Sequence, residues 1–303
     1  MTRPVQRILI GGASGLIGSG LVSAARRQSI EVTRLVRQRT VDADEITWNP
    51  GDETGAVDPS QLEGFDAVVH LSGASIARRW TAQYRQELAN SRVGSTRILC
   101  RVLPSLRKPP RVVVVASGLG IYGDRGDEIL TEQSRPGTGF LAELSLAWEG
   151  ATRPVAEAGI SVVHLRFGVV FDLDGGALAR MLPAFRMGLG GRLGSGQQWM
   201  SWISLRDALR AILFLVNRDD SAGPFNICSP GAVTNREFTR ALAGAVRRPA
   251  VLPVPAAALR LMFGTMADQT LLASQRAMPQ SLAEAGFTFE DEEIGATLRA
   301  LLG

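Results

Sequence analysis

The sequence feature that most constrains the fold is a glycine-rich turn close to the N-terminus. A short apolar run at residues 8–10 predicts a buried strand, and glycines follow it at positions 12, 15 and 18. Apolar residues at helical spacing then continue from 16 to 25, which predicts an amphipathic helix. A strand, a tight glycine turn and a helix in this order are the context in which a glycine fingerprint binds the pyrophosphate of a dinucleotide.

Each glycine has a separate expected role. Gly12 allows the sharp turn, Gly15 lets the backbone approach the pyrophosphate, and Gly18 lets the helix pack close to the strand. The helix N-terminus adds free N–H groups and a partial positive charge. No Gly-Lys-Ser/Thr follows, which excludes a P-loop. The residues of this turn that we expect to contact the cofactor are Gly12, Ser14, Gly15, Leu16, Ile17 and Gly18.

Composition limits the class of protein. A chain of 303 residues can bury a full core as one large domain or two. No apolar run reaches the roughly 18–20 residues of a membrane span, and the first strand begins too early for a signal peptide. Two cysteines, Cys100 and Cys228, form neither a disulfide framework nor a metal motif. We therefore expect a cytoplasmic protein without a membrane partner or a metal.

The basic balance does not indicate nucleic acid. The net charge is +4 and the isoelectric point is near 9.8, but the arginines are scattered and interleaved with acids. No run of five or six like charges occurs. The two histidines, His70 and His164, lie inside apolar runs, so we expect core histidines and not a base or a ligand.

The first half of the chain alternates strand-like and helix-like segments, which predicts an α/β fold of the Rossmann type with a doubly wound parallel sheet. The candidate strands are residues 8–10, 32–36, 45–48, 67–71, 112–116 and 161–166. The candidate helices of this half are residues 15–28, 81–103 and 140–158.

The pattern changes after residue 171. A glycine-rich segment at 188–196 leads to Trp199 and Trp202, and it is either a substrate lid or a packing loop. Helical patterns then dominate, at 178–186, 205–217, 234–246, 255–263 and 292–302. We expect a nucleotide-binding Rossmann domain over 1–171, and a lid with a smaller, mostly helical C-terminal domain over 172–303.

The end of the second strand selects the dinucleotide. An acid there pairs with the ribose 2′-hydroxyl of NAD, whereas an arginine accommodates the 2′-phosphate of NADP. The strand at 32–36 ends in Arg37-Gln38-Arg39, and the first acid is Asp42. Arg37 is therefore either the selector or a solvated loop arginine, and the sequence favours NADP(H).

The fourth strand is followed by a loop that should line the sugars of the cofactor, Leu71-Ser72-Gly73. On the next helix, Glu87 is placed to accept ribose hydroxyls and Arg92 to face the adenosine phosphate. Solvated helix positions are the alternative for both.

Several stretches together resemble an extended short-chain dehydrogenase/reductase, and more narrowly its atypical "epimerase family" branch, which has a small C-terminal domain of its own. These stretches are the glycine turn, Val68–Gly73, Ser117–Asp124, Leu165–Val170, Met181–Gly191 and Ser274–Pro279. The resemblance implies a Rossmann core that binds NADP, and it supplies no substrate. By position it implies cofactor contacts at Val36, Arg37, Leu71, Ser72, Glu87, Arg92 and Val170.

The chain departs from that family at the catalytic pair. Competent members of the wider superfamily use Tyr-x-x-x-Lys on the helix after the fifth strand, where the lysine lowers the pKa of the tyrosine. Here one register gives Phe140 with Leu144, and the other gives Leu141 with Ser145. Neither register supplies an acid or its activator.

Two hydroxyl side chains remain near the expected position of a nicotinamide. Ser117 ends the fifth strand and would hydrogen-bond a substrate carbonyl. Tyr122 would replace the missing phenol, although its Tyr-Gly context equally suits a structural turn.

The leading hypothesis is therefore an NADP(H)-dependent oxidoreductase or epimerase-like enzyme that acts on an unknown small molecule. The alternative is a non-catalytic NADP(H)-binding redox sensor or regulatory protein, which the missing pair favours. We expect a monomer or a homodimer and no nucleic-acid partner.

Overall fold

The centre of the molecule is one parallel sheet. The computed structural model describes residues 4–38, 42–52 and 56–303, and within these ranges the sheet has seven strands. Numbered along the chain, they are β1 (Arg7–Gly11), β2 (Glu31–Val36), β3 (Glu45–Thr47), β4 (Ala67–His70), β5 (Val112–Gly118), β7 (Ser161–Phe167) and β11 (Gly223–Ile227). Their order in the sheet is β11-β7-β5-β4-β1-β2-β3.

Helices cover both faces of this sheet and continue into a C-terminal lobe. They are α1 (Leu16–Arg27), α2 (Ala82–Ala89), α3 (Ser95–Val102), α4 (Phe140–Gly150), α5 (Arg153–Glu157), α6 (Gly176–Arg186), α7 (Leu205–Val216), α8 (Asn235–Val246), α9 (Ala256–Phe263), α10 (Gln280–Glu284) and α11 (Ile294–Leu302). Single π-helical turns occur at Asn90–Gly94, between α2 and α3, and at Ala267–Leu271, after α9.

The apolar run of β1 shows why the sheet is buried on both sides. Ile8 and Ile10 pack into the core beside α1 and α7, while Leu9 packs into the core beside α3 and α4. None of the three side chains is exposed to solvent. A strand covered on both faces needs apolar residues at every position, which explains a continuous run in place of alternation.

The topology creates a crevice at the carboxyl ends of β1 and β4. From β1 the chain continues to β2 and β3 on one side, and then crosses to β4 on the other side of β1. Open α/β sheets bind ligands at such a switch point, outside the carboxyl ends of the strands. The glycine turn follows β1 directly and therefore lies at this crevice.

The C-terminal lobe is built around a stack of aromatic rings. Phe171 lies between Trp202 and Phe238, at ring-centre distances of 5.9 and 5.2 Å. Helices α6, α8 and α11 contribute the rest of this core. Short strand pairs link the lobe together, namely β8 (Val169–Phe171) with β10 (Trp202–Ser204), β9 (Trp199–Met200) with β12 (Val233–Thr234), and β6 (Ile129–Leu130) with β13 (Arg276–Ala277).

The structure confirms the predicted fold class: a parallel sheet with flanking helices and a helical C-terminal region. The sequence does not predict strand β11, because the strand begins with Gly223-Pro224 and this pair is typical of a turn. Proline is tolerated there since β11 is an edge strand. A division at residue 171 stays a prediction, and β11 and α7 show that later residues also build the main sheet and its cover.

The glycine-rich segment 188–196 lies along residues 252–254. The Gly194 N–H donates to the Val254 carbonyl and the Val254 N–H donates to the Arg192 carbonyl, both at 2.9 Å. A Cβ on Gly191 would stand 1.7 Å from the Leu252 carbonyl oxygen, so glycine is required. These contacts favour a packing loop, and a role as a lid stays a prediction.

Within the described ranges, no helix combines the length and the apolar character needed to cross a membrane.

Candidate functional site

The glycine turn brings the loops after β1 and β4 into backbone contact. Gly12 has φ +81°, and a Cβ there would stand 2.7 Å from the carbonyl carbon of Leu71 and the nitrogen of Ser72. A Cβ on Gly18 would stand 2.2 Å from the Gly12 carbonyl oxygen. Both glycines are therefore required by the fold itself, Gly12 for the turn and Gly18 for the close approach of α1.

Gly15 differs from its two neighbours. A Cβ on Gly15 would meet only the Gly12 carbonyl oxygen, at 3.5 Å, so the space in front of it is open. Gly15 is exposed and precedes the first residue of α1, whose N-terminus has no side-chain cap and no acid in its first turn among the described residues. The open backbone and the uncapped N–H groups fit an anion such as a pyrophosphate.

Arg92 lies in the π-helical turn and faces the loop after β4. Its Nη2 donates to the Ala74 carbonyl at 2.9 Å, and its guanidinium carbon lies 5.3 Å from the ring centre of Trp148. A Cβ on Gly73 would stand 3.1 Å from the same carbon. The sequence prediction for Arg92 left a solvated position open, and the contacts exclude it.

The Arg92 guanidinium is incompletely satisfied. Its Nη1 is buried and has no hydrogen-bond partner among the described residues. Burial lowers the pKa of Arg92 to about 10, which still leaves it charged at neutral pH. A buried cation without a counter-ion is costly, so this arrangement calls for an anionic ligand.

Arg37 directly follows β2 at the same end of the sheet and is exposed. The acids nearby have other partners. Asp44 is bound by Arg34 and Arg26, and Glu45 lies 2.9 Å from Arg34. No described carboxylate therefore stands in the place of an NAD-selecting acid. Arg39 of the same motif lies outside the described residues.

The other expected cofactor positions are distributed around this crevice. Val170 lies in β8, and its carbonyl oxygen is 3.2 Å from where a Cβ on Gly176 would stand. The Leu16 side chain packs on the same glycine, which joins the turn to the C-terminal lobe. Glu87 lies on the exposed face of α2, and Val36 is the last residue of β2. Of the predicted cofactor residues, those that directly contact one another in the crevice thus include Gly12, Leu71, Ser72, Gly73 and Arg92.

Ser117 and Tyr122 lie in a buried hydrogen-bonded network and not at an open surface. The Ser117 hydroxyl donates to Glu149 Oε1 at 2.8 Å, and Arg166 holds both oxygens of Glu149 at 2.9 Å. Arg166 Nη1 donates to the Tyr122 hydroxyl at 2.9 Å, which in turn donates to Asn226 Oδ1 at 2.8 Å. Tyr122 is completely buried.

The hydroxyls of Tyr122 and Ser117 lie in different electrostatic environments. Burial raises the pKa of Tyr122, although Arg166 opposes that shift. Burial also opposes the ionisation of Glu149, but the hydrogen bonds and charge of Arg166 outweigh it and hold the pKa of Glu149 below its usual value. Tyr122 is therefore a neutral hydrogen-bonding group inside the protein, which favours the structural alternative for it. Ser117 is bonded to an ionised carboxylate.

The sequence alone does not predict the hydrogen-bonded network around Ser117 and Tyr122. Glu149 is 32 residues from Ser117, and Asn226 is 104 residues from Tyr122. Neither residue belongs to a local motif. A further acid, Glu132, accepts the Asn226 N–H at 2.8 Å, and burial raises its pKa.

Contacts of α4 decide between the two registers. Leu141 packs against Gly120, because a Cβ on Gly120 would stand 3.1 Å from the Cβ of Leu141. Glu149 lies on the same helical stripe as Leu141 and accepts the hydrogen bond of Ser117. The stripe 141, 145 and 149 therefore lies towards the carboxyl end of β5 and the turn that follows it, whereas Leu144 and Trp148 pack in the core beside β5. Phe140 instead packs on Trp80, at a ring-centre distance of 5.3 Å. Leu141 and Ser145 are thus the candidate pair on the side of α4 that reaches Ser117, and neither can supply the missing acid.

His70 is a core residue, as predicted, and His164 is half-buried and bonded inside the protein. His70 is fully buried with its Nε2 3.0 Å from Ser95 Oγ, and burial lowers its pKa to about 4. His164 Nε2 lies 2.9 Å from Thr152 Oγ1, and burial also lowers the pKa of His164.

Comparison with known proteins finds similarity over nearly the whole chain. The model of the NAD dependent epimerase/dehydratase family matches residues 8–228, and that of a domain of unknown function (DUF1731) matches residues 254–301. The epimerase family protein Mb2239 of Mycobacterium bovis is 45% identical over 292 residues, with 96% of each chain covered.

Two solved structures are similar over nearly all of this chain. The human epimerase family protein SDR39U1 (isoform 2), crystallised with NADPH, has a TM-score of 0.90 and 30% identity, covering 98% of this chain and 99% of its own. A nucleoside-diphosphate sugar epimerase from Corynebacterium glutamicum has a TM-score of 0.81 and 31% identity, covering 99% of this chain but 59% of its own.

The glycine turn, the sheet order and the C-terminal lobe thus agree with these matches, and the chain belongs to the NAD dependent epimerase/dehydratase family, among the epimerase family proteins that carry this additional C-terminal domain.

Proposed function

We propose that this protein binds NADP(H) in the crevice at the carboxyl ends of β1, β2 and β4. The observation that carries the proposal is the buried, unpartnered Nη1 of Arg92 beside the loop after β4. A dinucleotide supplies the anion that this cation lacks, and the open space at Gly15 admits a pyrophosphate to the backbone. The NADPH bound by the human relative supports the same choice.

The remaining contacts follow from position. Arg37 binds the 2′-phosphate of the adenosine ribose, because it follows β2 directly and the nearby acids are already bound by other arginines. Leu71 and Ser72 line the sugars, and Glu87 accepts ribose hydroxyls. Val36 and Val170 line the sides of the crevice.

The reaction that we propose is a hydride transfer to or from an unidentified small molecule, as an oxidoreductase or an epimerase. The bound nicotinamide supplies the hydride chemistry, and the protein supplies orientation. Ser117 stands at the carboxyl end of β5, and its hydroxyl can accept the proton of a substrate hydroxyl while it passes its own proton to the ionised Glu149 Oε1, 2.8 Å away. Tyr122 supports this arrangement by holding Arg166.

A second function, from another class, is a non-catalytic NADP(H)-binding redox sensor. The observation in its favour is that neither Phe140 with Leu144 nor Leu141 with Ser145 can supply the superfamily's acid and its activator. The hydroxyls of Ser117 and Tyr122 are both engaged inside the protein, which also suits a protein without turnover.

The test is a screen of carbonyl compounds and sugar nucleotides with NADPH, together with NADP-dependent oxidation of the corresponding alcohols. On a true substrate we expect Ser117→Ala to lower kcat by about 10²–10⁴-fold, the usual contribution of positioned acid–base catalysis. Tyr122→Phe should lower it only as far as it reduces the folded fraction. Fast turnover that Ser117→Ala leaves unchanged would remove Ser117 from the reaction, and no turnover on any compound would favour the sensor.

A further inference from the structure

A second group of arginines lies in the C-terminal lobe, away from the cofactor crevice. Arg192 belongs to the glycine-rich segment, and Arg236 and Arg240 stand one turn apart on α8. The three line a cavity of about 450 Å³. The other lining residues are Thr239, Ala243, Ala250, Val251 and Pro253.

Two of these cations converge on one backbone oxygen. Arg192 Nη1 donates to the carbonyls of Gly194 at 2.9 Å and Ser195 at 2.7 Å. Arg236 Nη2 reaches the same Ser195 oxygen at 3.5 Å. The two guanidinium groups therefore approach each other at this oxygen, and an anion bound between them would offset their mutual repulsion.

The backbone is shaped to allow this convergence. Gly196 has φ +72°, and a Cβ there would stand 3.1 Å from Cδ of Arg192 and 3.3 Å from Cβ of Arg236. The missing side chain lets both arginine stems pack against the turn. The two guanidinium groups are therefore held by packing and by backbone carbonyls.

No acid lines the cavity itself. None of the residues that line the cavity is Asp or Glu, and within the described ranges no ion pair involves Arg192, Arg236 or Arg240. The neighbouring acid on α8, Glu237, is held by the Thr234 N–H at 2.7 Å and its hydroxyl at 2.9 Å. These bonds, with Arg240 nearby, keep the pKa of Glu237 below its usual value.

We propose that Arg192, Arg236 and Arg240 form a binding site for a phosphate-bearing ligand, separate from the cofactor crevice. Guanidinium groups bind phosphate oxygens in pairs, and three of them around one cavity suit a mono- or diphosphate. Val251, which is 74% exposed, and Pro253 provide an apolar wall beside the charges. The ligand therefore carries an apolar portion next to its phosphate.

The experiment is a calorimetric titration of inorganic pyrophosphate at constant ionic strength, with the glycine turn occupied by saturating NADPH. We expect binding to the unmutated protein, and at least about 10-fold weaker binding for Arg192→Gln and for Arg240→Gln. Arg186→Gln, an exposed arginine that does not line the cavity, is the matched control and should leave the affinity within about twofold.

A second arm identifies the source of the phosphate. Phosphatidylcholine vesicles with and without phosphatidic acid are sedimented with the same variants, and binding that depends on phosphatidic acid and on Arg192 assigns the site to a lipid headgroup. The proposal is overturned if neither pyrophosphate nor these vesicles bind, or if Arg192→Gln, Arg240→Gln and Arg186→Gln behave alike. Pyrophosphate binding that needs Arg192 in a protein that fails to bind NADPH would contradict the proposed function and leave this site standing.

Discussion

Arg92 combines two properties that a substitution can separate. Its charge is buried with no counter-ion among the described residues, which costs stability, and the same charge is available to a cofactor. A buried charge without a partner carries a desolvation cost that an apolar side chain of similar length does not carry. Arg92→Met should therefore leave the Tm of the free protein unchanged or raise it, and weaken NADPH by at least about 10-fold. Thermal unfolding and calorimetry give the two readouts, and a lower Tm with unchanged affinity would make Arg92 purely structural.

Arg37 is expected to act on one cofactor and not on the other. A charge-assisted hydrogen bond is worth roughly 1.5–3 kcal/mol, so Arg37→Ala should weaken NADPH by about 10- to 150-fold and NADH little. Arg101→Ala, an exposed arginine on α3, is the control for net charge. Equal weakening of both cofactors by Arg37→Ala would show that Arg37 does not read the 2′-phosphate.

Tyr122 is expected to matter for stability. Its hydroxyl bridges Arg166 and Asn226 in the interior, so Tyr122→Phe leaves buried polar groups unsatisfied. The free energy of unfolding should fall by about 1–3 kcal/mol. Urea denaturation measures this difference, and a phenylalanine variant as stable as the unmutated protein would mean that the network does not need the phenol.

His70 makes stability depend on pH. Burial lowers its pKa from 6.5 to about 4, so between these values the unfolded chain binds more protons than the folded chain. The stabilisation is complete above pH 6.5 and is lost as the pH falls towards 4, by up to about 3 kcal/mol. Urea denaturation at pH 7, 5.5 and 4.5 should show this loss, and His70→Asn should flatten the profile. An unchanged profile in the variant would assign the acid sensitivity to other groups.

At the scale of elements, the glycine turn separates folding from binding. A Cβ on Gly18 collides with the Gly12 carbonyl, whereas a side chain on Gly15 enters open space. Gly18→Ala should therefore destabilise the fold by about 3 kcal/mol. Gly15→Val should keep the fold and lose the cofactor, because its side chain fills the space of the pyrophosphate. Circular dichroism and calorimetry distinguish the two, and a Gly15→Val variant that retains affinity would place the pyrophosphate elsewhere.

Helix α4 shows what local sequence cannot provide. The sequence left two registers for the missing catalytic pair, and only the contacts of Leu141 with Gly120 and of Glu149 with Ser117 selected one. Helical periodicity predicts the helix, but it does not show which partners the polar members of a stripe, such as Ser145 and Glu149, meet in the folded chain. The strands with continuous apolar runs were predictable for the opposite reason, since burial on both faces requires that pattern.

The same contrast holds for the whole molecule. The crevice followed from the order of strands and helices, because parallel strands place their carboxyl ends together. The polar network around Arg166 did not, since its members come from β5, α4, β7 and β11 and carry no shared motif. The Rossmann turn could thus be predicted from the sequence, whereas the hydrogen-bond partners of Ser117 and Tyr122 could be identified only from the tertiary structure.

The measurement that tests the central claim most directly is a parallel calorimetric titration of the unmutated protein with NADPH and with NADH. An arginine at the end of β2, with the nearby acids bound by other arginines, predicts that NADPH binds at least about 10-fold more tightly. Equal affinities for the two cofactors, or no binding of either, would contradict it.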